Sequence, residues 1–108
     1  MTVAELCSQC GFETLCMPDE NRQVSGAYIG DLLSWVMGRA GTDNAWITIM
    51  SNVNVIAVAS LADVSCVILA EGVSLDDDLI NTADTKGINV LKSGLPAYET
   101  ALMLKGNI

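Results

Sequence analysis

The chain has 108 residues, with 5 Lys+Arg against 13 Asp+Glu for a net charge of −8, and it contains no histidine. This length holds one domain, and the acidic balance argues against binding nucleic acid or an anionic membrane through a cationic face. The missing imidazole removes Ser-His and Cys-His nucleophile pairs, histidine metal sites and a histidine pH switch.

The start, Met1-Thr2-Val3-Ala4-Glu5, lacks the basic region and apolar run of a secretory signal. Thr2-x-x-Glu5 instead fits a capping box and opens a helix to about Cys10, with Gly11 as its left-handed stop. Phe12 to Met17 reads as a strand closed by Pro18-Asp19-Glu20-Asn21, and Val24 to Tyr28 as a short extended segment. A second helix is expected to open at Gly30-Asp31, with Asp31 near its N-cap. Leu32, Leu33, Val36, Met37 and Ala40 would form its broad apolar stripe, ending by Gly38 or Gly41. Trp46 to Met50 reads as a strand rich in β-branched and aromatic residues. Trp35 and Trp46 read as ordinary core, with interface anchoring as the alternative.

The segment from Ala45 to Ala62 carries no charge and has nearly the length of a membrane span. Ser51, Asn52 and Asn54 interrupt it where hydrocarbon penalises amides, so it reads as two buried elements joined by a polar turn. This predicts a soluble, cytoplasmic protein. Val53 to Leu61 is ambiguous by periodicity, but its neighbours decide it. Cys66 to Ala70 is a continuous apolar run, the pattern of a strand covered on both faces. If that strand lies parallel to Trp46–Met50, a crossover must join them, and only a helix over Val53–Leu61 supplies one.

Ser74-x-x-Asp77 reads as another capping box. Asp76, Asp77 and Asp78 fall in the following first helical turn, where carboxylates complement the positive helix end. Successive residues on a helix point about 100° apart, so these three do not converge on a metal. Leu79, Ile80 and Ala83 face inward, and Lys86-Gly87 closes the helix. Ile88 to Leu91 is a last strand. Ser93-Gly94-Leu95-Pro96 leads into a final helix through Leu104, with Pro96 in its first turn. Glu99 lies within that helix, as a buried acid or on its exposed side. Strands alternating with helices predict a three-layer α/β/α fold around a small, mainly parallel sheet of four or five strands.

In order and spacing, several segments resemble the DRTGG domain family. They are Gly26-Ala27-Tyr28-Ile29-Gly30-Asp31-Leu32-Leu33-Ser34, Trp46-Ile47-Thr48, Asn54-Val55-Ile56-Ala57-Val58-Ala59, Val67-Ile68-Leu69 with Gly72, Gly87-Ile88 with Val90-Leu91, and Tyr98-Glu99. The pentapeptide that names the family is absent. The resemblance covers nearly the whole chain and implies a single domain over residues 1–108, similar to the N-terminal domain of HPr kinase/phosphorylase. Such modules occur beside CBS pairs in some pyrophosphatases and inside some phosphotransacetylases, where they regulate or assemble while other domains catalyse. No catalytic residues and no cofactor carry over.

Three readings of function follow. The first is a non-enzymatic regulatory module that forms a homodimer, senses a small molecule and serves a partner protein in trans. An open parallel sheet binds ligands at the C-terminal ends of its strands, which here carry Gly30, Asp31, Ser51, Asn52, Gly72 and Ser93. An anion would sit better near Ser51 or Ser93 than beside Asp31, and Gly26-x-x-x-Gly30 lacks the Gly-Lys-Ser/Thr of a phosphate loop. As caps and tight turns, the same residues need no ligand. The second reading is a redox or iron–sulfur accessory protein, provided Cys16 and Cys66 converge on the Cys7-x-x-Cys10 pair. Small buried hydrophobes are the plainer role for these cysteines. The third, ranked last, is a small enzyme working through Ser51, Asp31 or Glu99, with no activating base in view.

Overall fold

A computed structural model describes the whole chain, Met1–Ile108. Five helices and five strands alternate along it: α1 (Val3–Cys10), β1 (Glu13–Cys16), β2 (Ala27–Ile29), α2 (Leu33–Arg39), β3 (Ala45–Thr48), α3 (Val53–Ala62), β4 (Cys66–Leu69), α4 (Asp77–Thr85), β5 (Val90–Lys92) and α5 (Ala97–Leu104). The spatial strand order is β1-β5-β4-β3-β2. Strands β2 to β5 run parallel, and β1 joins the β5 edge antiparallel with a register shift between Thr14 and Cys16.

Since β2, β3, β4 and β5 lie side by side in chain order, their three crossovers all step the same way across the sheet. Crossovers of one hand then place α2, α3 and α4 on one face. The other face is left to the first and last helices, α1 and α5. The two cores follow from strand alternation. Trp46, Val67, Leu69 and Val90 meet Val36, Val55, Ile56, Ala59 and Ala83 on one side. Ala45, Ile47, Cys66, Ile68 and Leu91 meet Val3, Leu6, Cys7 and Leu104 on the other. The fold is the expected three-layer α/β/α arrangement, with five strands.

The alanine-rich segment is the crossover helix that joins two parallel strands. Val53–Ala62 is helical, and β3 and β4 pair in parallel from Ala45↔Cys66 to Thr48↔Leu69. Thr2 and Glu5 form the expected capping box, and α1 stops at left-handed Gly11. Trp46 is fully buried as core.

Other expectations are corrected. The second helix begins at Leu33, and Leu32 occupies the N-cap with no side-chain capping bond. Asp31 does not cap it, because its carboxylate is taken by β3. The broad inward stripe shrinks to buried Val36 with half-buried Leu33 and Ala40, while Leu32 and Met37 are exposed; Trp35, expected in the core, is exposed as well. At α4 the cap is Asp76, which accepts from the Leu79 amide, and Ser74 has no part in it. Strand β5 spans Val90–Lys92, β1 only Glu13–Cys16, and Pro96 is the N-cap of α5 instead of lying in its first turn.

The N-terminal edge of the parallel strands is stitched by polar side chains. Arg22 donates from Nε to Asp43 at 3.0 Å and from Nη2 to the Asp63 carboxylate at 2.8 Å and carbonyl at 2.7 Å. Asp43 and Asp63 are both left-handed, with φ of 67° and 58°. The shared guanidinium thus braces two left-handed positions, a conformation that aspartate tolerates better than most non-glycine residues. Buried Asn89 donates to the Asp19 and Ser65 carbonyls, tying the loop after β1 to the entrance of β4. No helix is long and apolar enough to cross a membrane.

Candidate functional site

Parallel pairing sends the C-terminal ends of β2, β3, β4 and β5 to one edge of the sheet. The topology therefore gathers the loops that carry all six candidate ligand-binding residues. Their side chains and amides are then largely consumed in joining one loop to the next.

After β2, the Asp31 carboxylate accepts from the Thr48 hydroxyl at 2.7 Å and from the Ile49 amide at 3.0 Å, which locks the β2 loop to β3. The Gly30 carbonyl accepts from Trp46 Nε1 at 2.9 Å. A methyl group at Gly30 would lie 2.9 Å from the Tyr28 ring, so close packing disfavours any larger residue there. After β3, Ser51 and Asn52 are exposed at the start of α3, and Asn52 caps that helix by accepting from the Asn54 amide at 2.9 Å.

After β4, Glu71 and Gly72 are both left-handed, with φ of 60° and 70°. This sharp reversal aims their amides at the β5 loop. Glu71 donates to the Leu95 carbonyl at 2.8 Å and Gly72 to the Ser93 carbonyl at 2.9 Å. Ser93 is buried, and its hydroxyl lies 2.8 Å from that of Thr100 on α5. Ser51, Asn52, Gly72 and the Glu71 carboxylate remain on a shallow exposed rim, while Ser93 and the Asp31 carboxylate are engaged within the fold. Every buried polar side-chain atom has a hydrogen-bond partner, so no orphaned group points into the rim. The one distinct depression, about 240 Å³ and lined by Asn81, Thr82, Thr85 and Lys86, lies on α4, away from these loops.

Thr48 and Thr100 are the polar side chains that the sequence reading missed. The signal for Thr100 was present, since it shares a helical face with Ala97, Ala101 and Leu104 at i, i+3 and i+4 spacing. Thr48 interrupts an otherwise apolar strand.

The four cysteines are all reduced and buried. Cys7, Cys10 and Cys66 lie in the core under α1 and α5, whereas Cys16 lies in the core on the opposite face of the sheet. They assemble no group of three metal-ligating side chains. Three thiols donate to carbonyls instead: Cys7 to Phe12 at 3.2 Å, Cys10 to Met103 at 3.3 Å and Cys16 to Ile88 at 3.2 Å. Burial pushes the Cys10 and Cys16 thiols above their ordinary range and Cys66 up to about 12. Groups so disposed hold their protons and are poor nucleophiles and poor ligands. Asp76, Asp77 and Asp78 are exposed around the start of α4, and Glu99 is exposed on α5.

Comparison with solved structures gives a match to the CBS and DRTGG domains of the regulatory region of Clostridium perfringens pyrophosphatase, crystallised with its activator diadenosine tetraphosphate. The TM-score is 0.71 at 13% identity, over 95% of this chain and 45% of that one. The chain thus spans less than half the length of that structure, and at this identity the likeness is one of fold. No curated protein matches the sequence. The DRTGG domain family matches residues 5–106. With the five-stranded sheet and its ordered loops covering the same span, the chain belongs to the DRTGG domain family.

Proposed function

We propose that this protein is a non-enzymatic regulatory module of the cytoplasm. In this reading it self-associates as a homodimer, takes up a small-molecule effector at the rim formed by the loops after β2 to β5, and passes the response to a partner protein in trans. Family membership over residues 5–106 carries the reading. The loop chemistry supports it. The rim offers the exposed hydroxyl of Ser51 and the side-chain amide of Asn52, and all four cysteines are buried. The loops of the rim are also bonded in pairs, Asp31 to Thr48 and Gly72 to Ser93, so an effector seated there would touch loops tied to their neighbours.

The pyrophosphatase regulatory region was crystallised with a dinucleoside polyphosphate, which makes nucleotides the first probes. Thermal unfolding of the full chain is measured with diadenosine tetraphosphate, mononucleotides, inorganic phosphate and a panel of small metabolites. A ligand at 100 times its Kd stabilises a fold by about 2.7 kcal/mol. For a domain of this size that raises Tm by roughly 10 °C or more. The same ligand is expected to lose affinity for Asn52→Ala. A flat response across the panel overturns the effector-binding part of the reading.

A further inference from the structure

The self-association proposed above needs a face, and the sheet supplies one. β2 is an edge strand, paired only with β3. The Gly26 carbonyl and the Gly30 amide bond to β3. The two-residue alternation of a strand therefore turns the N–H and C=O of Ala27 and Ile29 outward, away from the sheet. Both side chains are exposed, Ile29 at 50%.

The flank of α2 continues this edge. With about 100° per residue and Val36 pointing into the core, Leu33 and Ala40 fall on the side that packs toward α3. Leu32, Trp35 and Arg39 fall on the opposite side. Leu32 and Trp35 are 58% and 52% exposed, and the Arg39 guanidinium stacks 3.8 Å from the Trp35 ring centroid. An unpaired strand edge and an unpartnered apolar helix flank thus share one side of the molecule.

The charge distribution selects the occupant. Residues 24–42 contain one acid, Asp31, and one base, Arg39, so the entire net charge of −8 resides on the rest of the chain. The Asp31 carboxylate is already engaged by Thr48 and Ile49. Two copies of so acidic a protein repel least when they meet at this neutral side. The opposite edge strand, β1, carries Glu13 and leads into Asp19 and Glu20, which suits it poorly as a self-pairing template.

We infer that a second copy docks on the β2–α2 edge, β2 against β2, about a two-fold axis normal to the sheet. Such an axis makes the new pairing antiparallel, with Ala27 of one copy opposite Ile29 of the other. It joins two five-stranded sheets into one of ten strands. It also keeps both α2 helices on the same face, where the Leu32 and Trp35 flanks meet and leave water together. The contact is isologous and closes at two copies.

This inference rests on the proposed self-association, and the test separates the two. Sedimentation equilibrium of the full chain across micromolar concentrations is expected to give a dimer. Trp35→Glu and Ile29→Lys, both at exposed positions, each raise its dissociation constant about tenfold or more. Leu61→Glu, on the exposed side of α3, leaves it unchanged. In the unaltered chain, the Ala27 and Ile29 amides exchange about tenfold more slowly in concentrated than in dilute solution. A wild-type dimer in which neither variant and neither amide responds overturns the β2–α2 assignment and leaves self-association standing at another face. A wild-type monomer at every concentration overturns both.

Discussion

The hydroxyls of Ser93 and Thr100 lie 2.8 Å apart and close a buried ring of hydrogen bonds between the end of β5 and the first turns of α5. The Leu95 amide donates to Ser93 Oγ at 3.2 Å, and Thr100 Oγ1 donates to the Leu95 carbonyl at 3.2 Å. The single proton of Thr100 is thereby used, so Ser93 donates to Thr100 and every member is satisfied. Thr100→Val keeps the shape of the side chain but strands the Ser93 proton in a buried site. It is expected to cost about 1–3 kcal/mol. Ser93→Ala costs a similar amount, and the double variant loses less than the sum of the two, because both remove one ring. Urea denaturation of the four proteins checks this. Single variants within 0.5 kcal/mol of wild type would show that the ring contributes nothing, since ordinary surface substitutions fall in that range.

Asp31 serves β3 and leaves the start of α2 uncapped, so its removal should be felt through Thr48. Asp31→Ala leaves a buried hydroxyl and the Ile49 amide without their acceptor, for an expected loss of about 1–3 kcal/mol. Asp31→Asn retains an acceptor oxygen and is expected to lose about half as much. Thr48→Val paired with Asp31→Ala in a double-mutant cycle should show coupling near 1 kcal/mol. Strict additivity would place the role of Asp31 elsewhere.

The buried thiols set a pH dependence in the alkaline range. Burial raises Cys66 from its ordinary 9.0 to about 12, partly opposed by the Ser65 hydroxyl. Burial also raises Cys10 and Cys16. A thiol with a raised folded-state pKa contributes its full stability below the unfolded value. Above that value the unfolded chain ionises first, and stability falls until the folded thiol ionises too. The loss due to Cys66 therefore runs from about pH 9 to about pH 12. Within that window a fully shifted thiol removes about 1.4 kcal/mol per pH unit. Urea midpoints measured under reducing conditions should decline over this range, and Cys66→Ala should flatten part of the slope. A profile that is level above pH 9 refutes the assignment.

Much of the architecture was legible because it rests on patterns that one chain carries by itself. The apolar run at Cys66–Ala70, β-branched residues at Trp46–Met50 and the need for a crossover between them require a helix at Val53–Ala62. Thr2, Glu5 and Gly11 delimit α1 through contacts within a few residues. Ambiguity entered where one side chain has two acceptable partners. Ser74 and Asp76 both place a short acceptor three residues before an amide, and only the folded path selects Asp76. Asp31 suits a helix cap, yet parallel pairing of Tyr28 with Trp46 brings Thr48 and the Ile49 amide to its carboxylate, which takes both bonds there.

The candidate rim divides along the same line. Alternation of elements is enough to place Gly30, Ser51, Gly72 and Ser93 at one end of a parallel sheet. Burial of Ser93 depends on α5 docking through Thr100, a partner seven residues from Ser93 along the chain and on another element. The four cysteines divide similarly, with Cys16 sent to the opposite core from Cys7, Cys10 and Cys66 by its register against Val90, which faces that core. By itself, the sequence determined the order of strands and helices, the parallel sheet and the edge where its loops collect, because hydrophobic period and short-range capping act over a few residues. Tertiary structure decided which polar groups on that edge are free, because each hydrogen bond goes to whichever partner the packed sheet brings within reach.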